Sequence, residues 1–374
     1  MQFKDVIGQE EVKRVLKQQA VSGRLPHALL LAGETGYGTM ALAMALASFV
    51  LCDNRSESDS CGNCSKCTKA DKLIHPDLHF SYPIIKKSES TTSDTYQNEW
   101  REFFTRDKYF DINDWLTVMK ADKKQALIPE AESQNIIQKL SLSPYEGGWK
   151  VMIIWLPEKM GATPANTLLK TLEEPTGKTL FILCSEHPEQ MLTTVLSRSQ
   201  RIDVPPVKTE DMCEALTARR GVDPTAAANI ARISKGNYLT ALRLLCDDDE
   251  APQAMLNSFT SLMRMAYSRN VKGLMEWSDN LARQSRDEQK QLLAYMQNMI
   301  RENFMYNFGR PELNFMNPKE LAFAKNFAPY INERNIIRFA EEFQRAQDDI
   351  TNNVNSKTVL FNLALQTTIL IRSK

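Results

Sequence analysis

Apolar residues fall into two rhythms over the first two hundred positions. Short continuous apolar runs at 28–32, 78–82, 151–155 and 180–185 predict buried strands. Spacings of three and four over 10–22, 40–51, 130–140 and 165–173 predict helices. Alternation of the two predicts an α/β layered domain with a mainly parallel sheet over residues 1–205. The prolines of IDVPPVKTED, 202–211, mark an exit from it. Residues 206–248 then read as a small helical unit, with Asp223-Pro224 as a helix start and Gly236 as a break. Strand signals vanish from 249 to 374. There Leu292, Tyr295, Met296, Met299, Asn303 and Phe304 fall near helical spacing, as do 333–350 and 356–371, which predicts a helical bundle with Met and Phe in its core.

Residues 84–127 interrupt the α/β pattern and read as an insertion, part loop and part helix. Trp100, Phe103, Phe104, Tyr109, Phe110 and Trp115 interleave with Arg101, Arg106 and Lys108. Such interleaving suits single-stranded nucleic acid. A small local core is the favoured reading, because aromatic burial usually dominates.

Charge narrows the picture. The 374 residues carry 46 Lys+Arg and 46 Asp+Glu, a formal net charge of zero. That argues against a nucleic-acid binder held by bulk charge and leaves room for a local basic surface. No run of about 18 apolar residues predicts a membrane span. The start, MQFKDVIGQEEV, lacks the form of a signal peptide, so a cytoplasmic location is expected.

Seven cysteines are present. Cys184, Cys213 and Cys246 are scattered and read as buried free thiols. Cys52, Cys61, Cys64 and Cys67 are clustered, and in a reducing compartment such a cluster signals metal. Four thiolates close a tetrahedral shell, so a structural Zn²⁺ over 52–67 is predicted, with an iron–sulfur cluster as the alternative. His75 and His79 read as structural.

HALLLAGETGYGTMALA, 27–43, nearly forms a phosphate-binding loop. Gly33, Gly36 and Gly38 have the spacing of G-x-x-x-x-G-K-[ST], but Thr39 stands at the lysine position and Met40 at the Mg²⁺-ligating hydroxyl. The acidic pair that should follow the strand at 151–155 is Trp155-Leu156, and Glu158 lies too far along. Four absent groups predict no hydrolysis. The loop amides and helix N-terminus leave weak or no nucleotide binding as the expectation.

With these residues in view, the chain resembles the AAA+ clamp-loader family. FKDVIGQEEVKRVL (3–16), the loop, the Cys52/61/64/67 set, NTLLKTLEEPTGKTLFIL (166–183), LSRSQRIDV (196–204) and SKGNYLTALRLL carry the resemblance. It covers about 1–83 and 128–245, is weaker in the tail, and has no counterpart for 84–127. It implies an AAA+ α/β domain with an inserted zinc module, a helical lid at 206–248 and an all-α collar at 249–374. In this family a broken loop implies a stator: a subunit of the DNA polymerase III clamp loader that does not turn over ATP. Its implied partners are gamma/tau, delta, the sliding clamp and primed DNA, in ATP-dependent clamp loading during replication. By position Arg198 is implied as an arginine finger offered to the neighbouring ATPase, with Ser197 holding the segment and Arg201 as fallback. Ser199 replaces the family's Cys. Ser185 and Leu239 stand at the nucleotide-sensing positions, Leu239 in place of an arginine. Two alternatives remain: an active ATPase with an irregular site, served by Lys150 or Lys170, and a zinc-dependent nucleic-acid binder.

Overall fold

Every strand of the sheet runs in the same direction, as the α/β alternation predicts. The strands are β1 (Ala28–Ala32), β2 (Leu78–Ser81), β3 (Lys150–Trp155), β4 (Thr179–Ser185) and β5 (Gln200–Asp203), in the order β2-β3-β4-β1-β5. Four match the apolar runs. β5 is not announced by any such run: it is an edge strand of mostly exposed residues, and only its pairing with β1 makes it a strand. The computed structural model describes residues 1–121, 124–245, 250–310 and 313–372. Cys246 and the expected boundary at 248 lie outside the described residues. Residues Met1–Leu242 form one compact unit and Arg243–Lys374 another.

The helices up to residue 245 are α1 (Glu10–Val21), α2 (Thr39–Leu51), α3 (Ser65–Asp71), α4 (Gln97–Arg106), α5 (Ile112–Val118), α6 (Glu130–Ser141), α7 (Ala162–Glu173), α8 (Thr193–Leu196), α9 (Thr209–Arg220), α10 (Pro224–Ile233) and α11 (Tyr238–Leu245). Strand side chains alternate between faces. Leu30, Met152, Ile154, Phe181 and Leu183 pack on one face with Ile136 of α6 and Leu168 of α7. α2, TMALAMALASFVL, has no polar face, and all its residues are buried. A helix apolar all round must be covered on every side. Asp223 caps α10 through the Thr225 and Ala226 amides, with Pro224 at the first turn, as the sequence predicts.

The inserted segment is α4, α5 and flanking loops. Its aromatic side chains form a core, not a stacking surface. Trp100, Phe103, Phe104, Tyr109, Phe110 and Trp115 are all buried. Trp100 stacks on Tyr82, with centroids 4.0 Å apart, and meets Trp115 edge-on at 5.2 Å. Glu132 of α6 ties the segment down by accepting the Ser93 amide (2.7 Å) and hydroxyl (2.6 Å).

The second unit is helical among its described residues: α12 (Glu250–Ser268), α13 (Val271–Leu281), α14 (Arg286–Tyr306), α15 (Pro318–Phe327), α16 (Ile336–Thr351) and α17 (Ser356–Leu370). Leu293, Met296 and Met299 of α14 pack with Phe339 and Phe343 of α16 and Leu360 and Leu363 of α17, so the Met and Phe stripes are core. Asn303, on the same stripe, is buried and donates to the Met299 carbonyl at 2.7 Å. Among the described residues no helix is long and apolar enough to cross a membrane.

Candidate functional site

The phosphate-type loop leaves β1 at Gly33, whose amide donates to the Ser185 carbonyl at 3.0 Å. Gly36 and Gly38 take φ of 79° and 97°, the left-handed region that glycine enters freely. Thr39 opens α2, and it and Met40 are buried. Other parts of the first unit pack against this loop. The Tyr238 amide donates to the Gly36 carbonyl at 3.1 Å. Asn237 sits so close to Gly36 that a Cβ there would overlap its side-chain oxygen. Gln9 donates from Nε2 to the Tyr37 (3.1 Å) and Pro205 (2.6 Å) carbonyls. Tyr109, from the inserted segment, lies against Gly38, where a Cβ would fall 3.2 Å from its ring. Its hydroxyl accepts the Ile7 amide at 3.0 Å, and its ring meets Tyr238 edge-on at 4.9 Å.

The position of the Mg²⁺ carboxylate is equally committed. Trp155 packs on Trp100 (5.6 Å) and edge-on against Phe110 (5.0 Å), inside the aromatic core. Leu156, at φ 53°, is buried and donates its amide to the Cys184 carbonyl. Glu158 points away from catalysis: its Oε1 accepts the Glu186 (3.0 Å) and His187 (3.1 Å) amides. Lys150 cannot reach the loop. It lies at the start of β3, at the end of the strands opposite the loop, and donates to the Leu142 carbonyl (2.8 Å) and Thr176 hydroxyl (3.0 Å). Ser185, at the end of β4, is buried, and so is Leu239.

Glu186 was not singled out by sequence; its only signal is its place after β4. Its carboxyl is bonded to Thr35 of the loop, and burial, with the Glu158 charge adding, pushes its pKa up to about 7. An acid raised from 4.5 to about 7 on folding favours the native state fully below pH 4.5, and that advantage is lost as pH rises through 7. Glu186→Gln is therefore expected to stabilise the chain at pH 8 by on the order of 1–2 kcal/mol, with the gain fading towards pH 4.5. Denaturant unfolding at pH 5 and pH 8 checks this; an equal or larger gain at pH 5 refutes it.

Arg198 follows α8 and precedes β5. Gln200 of β5 pairs beside Leu29 at the start of β1, whereas the loop leaves β1 beyond Ala32. Four strand residues at about 3.3 Å each put Arg198 roughly 13 Å from its own loop along the sheet. Its guanidinium pairs with Glu173 of α7 and donates to the Thr194 carbonyl at 2.9 Å, with the Ser197 hydroxyl 3.4 Å away. The side chain stays 31% exposed. Arg201 is turned to Asp203 at 2.7 Å.

The four clustered cysteines converge. All four sulfurs lie within 4.8 Å of one another, with Cys52–Cys61 at 3.5 Å, Cys61–Cys67 at 3.9 Å and Cys52–Cys64 at 4.0 Å. Zn–S bonds of about 2.3 Å in a tetrahedron demand sulfur separations of about 3.8 Å, so the donor set fits such an ion. The Cys64 and Cys67 amides donate to the Cys61 and Cys64 sulfurs, each at 3.4 Å. Backbone N–H groups of Asn63 and Cys64 lower the Cys61 pKa to about 6, while burial raises Cys52 and Cys67. The cluster can hold a metal such as zinc. His75 and His79 are outside it: His75 accepts the Asp77 amide at 3.1 Å, and burial holds His79 down at about 4.

Known proteins are similar to this chain over half to two thirds of its length. A delta' subunit of DNA polymerase III from Bacillus subtilis is 27% identical over 243 residues, 65% of this chain and 61% of its own. The Yersinia pestis delta' subunit is 32% identical over 187 residues, 50% of this chain and 43% of its own. The tau subunit of Escherichia coli is 25% identical over 247 residues, 65% of this chain and 32% of its own. The chain thus spans less than two thirds of the length of these relatives. A solved gamma subunit-related protein of Thermotoga maritima aligns over 97% of this chain and 99% of its own at 14% identity, with a TM-score of 0.36. The family profile described as DNA polymerase III, delta subunit matches residues 8–208, and with more than half of its length matched the chain belongs to that family.

Proposed function

We propose that the chain is a non-hydrolysing clamp-loader subunit, a stator that supports ATP-dependent loading of the sliding clamp onto primed DNA. One observation carries the reading. A phosphate-type loop with no lysine at its lysine position follows the C-terminal end of β1, and a part-exposed arginine stands at the opposite end of the neighbouring strand, before β5. In a ring with head-to-tail contacts, the two ends of the strands face different neighbours. A planar, permanently charged guanidinium suits the phosphate charge of a neighbour's transition state. Arg198 is then the finger offered in trans, and Ser197 braces it. Gly33, Gly36, Gly38 and Thr39 keep the strand-to-helix corner without holding ATP. Partners are the gamma/tau and delta subunits, the clamp and primed DNA; the setting is cytoplasmic, and the helical second unit supplies the collar. Zinc at Cys52, Cys61, Cys64 and Cys67 is structural, since four protein sulfurs leave no open position.

Reconstitution tests this. The isolated chain is expected to show no ATP turnover. A clamp loader assembled without it is expected to lose DNA-dependent clamp loading, and adding it back to restore loading. Turnover by the isolated chain, or full loading without it, refutes the proposal.

A further inference from the structure

The inserted segment does more than fill space. Tyr109 touches three parts of the first unit at once: the Ile7 amide of the N-terminal segment, Gly38 of the loop and Tyr238 at the start of α11. These surfaces come from distant stretches of chain, and Tyr109 adds a shared contact to the direct bonds Gln9–Tyr37 and Tyr238–Gly36. The seat is fixed from behind. Phe110, the next residue, is held edge-on by Trp155 at 5.0 Å, and the Tyr109 amide donates to Asp107 at 3.0 Å. Trp155 is also the residue standing where the Mg²⁺ carboxylate is missing. Loss of metal-binding chemistry and anchorage of the segment are therefore one feature of the sequence.

We propose that residues 84–127 are an internal substitute for nucleotide, with Tyr109 seated at the degenerate loop as the group that joins the N-terminal segment, the loop and α11. This rests on the non-hydrolysing reading above. A bound ligand stabilises only the fold that binds it, and only at sufficient concentration. A tethered group is present at a high effective concentration and does not leave. The helical segment after the sheet is thus held on the core whatever the ATP level, as a rigid subunit requires.

Hydrogen–deuterium exchange on the isolated full chain tests this independently of any clamp-loader role. Tyr109→Phe keeps the ring and removes the hydroxyl. The Ile7 amide is expected to exchange at least about tenfold faster, the equivalent of one lost hydrogen bond, with α2 unchanged. An Ile7 amide as protected as in the parent overturns the proposal. Tyr109→Ala is expected to speed exchange across 209–242 by about tenfold or more while α14 and α16 stay as they are; unchanged exchange across 209–242 overturns it. Mg-ADP calorimetry gives a third arm. The Thr39→Lys/Met40→Thr chain is compared with the same chain carrying Tyr109→Ala. At least a tenfold gain in affinity on removing the tyrosine is expected, and equal affinities overturn the idea.

Discussion

Arg198→Ala in an assembled clamp loader is expected to cut ATP turnover at the adjoining site by about 10³-fold or more, the range typical of arginine fingers. The total rate falls by the share that site contributes. Two features of the structure support so large an effect from one exposed side chain. Arg198 stands beyond the start of β5, at the end of the strands away from the loop on its own chain. Its partner is Glu173, itself 47% exposed. Such surface pairs contribute only about 0–1 kcal/mol, so the guanidinium is released at little expense when a stronger anion arrives. For the same reason the variant's own stability is expected to change by less than about 1 kcal/mol. Arg198→Lys is expected to recover little, since lysine keeps the charge but loses the planar fork. Glu173→Ala should leave turnover intact. The measurement is steady-state ATPase on primed DNA, with assembly checked by gel filtration. Unchanged turnover in an intact Arg198→Ala complex makes the arginine structural and removes the main support for the stator reading.

The parts legible in the sequence were those written as repeated local pattern. β1 through β4 were continuous apolar runs because a parallel sheet is covered on both faces. The cysteine spacing announced the cluster because two residues between ligands is the reach of a metal loop. The glycines announced the loop because Gly36 and Gly38 take the left-handed φ that glycine enters freely. What was not legible depended on contacts far apart in sequence. β5 is polar and becomes a strand only through β1. Tyr109 was legible as core but not as a neighbour of the loop, because its partners Ile7, Gly38 and Tyr238 lie up to 129 residues from it. Glu186 has no signal beyond its place after β4; its raised pKa comes from desolvation, with the Glu158 charge adding. The pairing of Arg198 with Glu173 likewise joins α7 to the segment before β5.

Removing metal from the cysteine cluster is expected to have the largest effect on stability. The purified chain is expected to contain about one zinc and no visible colour; an iron–sulfur cluster would absorb. Structural zinc in small modules is worth an apparent 10–16 kcal/mol at neutral pH, as much as the whole stability of many domains. The full figure does not apply to the chain, because α2 is held by the sheet core as well as by Cys52 at its C-terminal end. The local structure depends on the cluster more directly. Cys64 caps α3 by accepting the Cys67 amide, and the loop between Cys52 and Cys61 has no apolar core of its own. That loop in turn holds the N-terminus: Asp59 accepts the Phe3 and Lys4 amides, each at 3.0 Å, Gln2 donates to the Ser60 carbonyl, and the Met1 amine pairs with Asp71 of α3. Chelation, or Cys64→Ser, is therefore expected to loosen 53–71 and 1–5 together and to lower Tm by on the order of 10 °C, the equivalent of a few kcal/mol in a unit of this size. Hydrogen exchange should show the loss there first, with β1, β3 and β4 protected until global unfolding. Metal analysis with a thermal melt before and after chelation decides it. A chain that purifies without metal, or melts unchanged once stripped, has a thiol cluster and not a structural ion, and the N-terminal segment is then held without help from an ion.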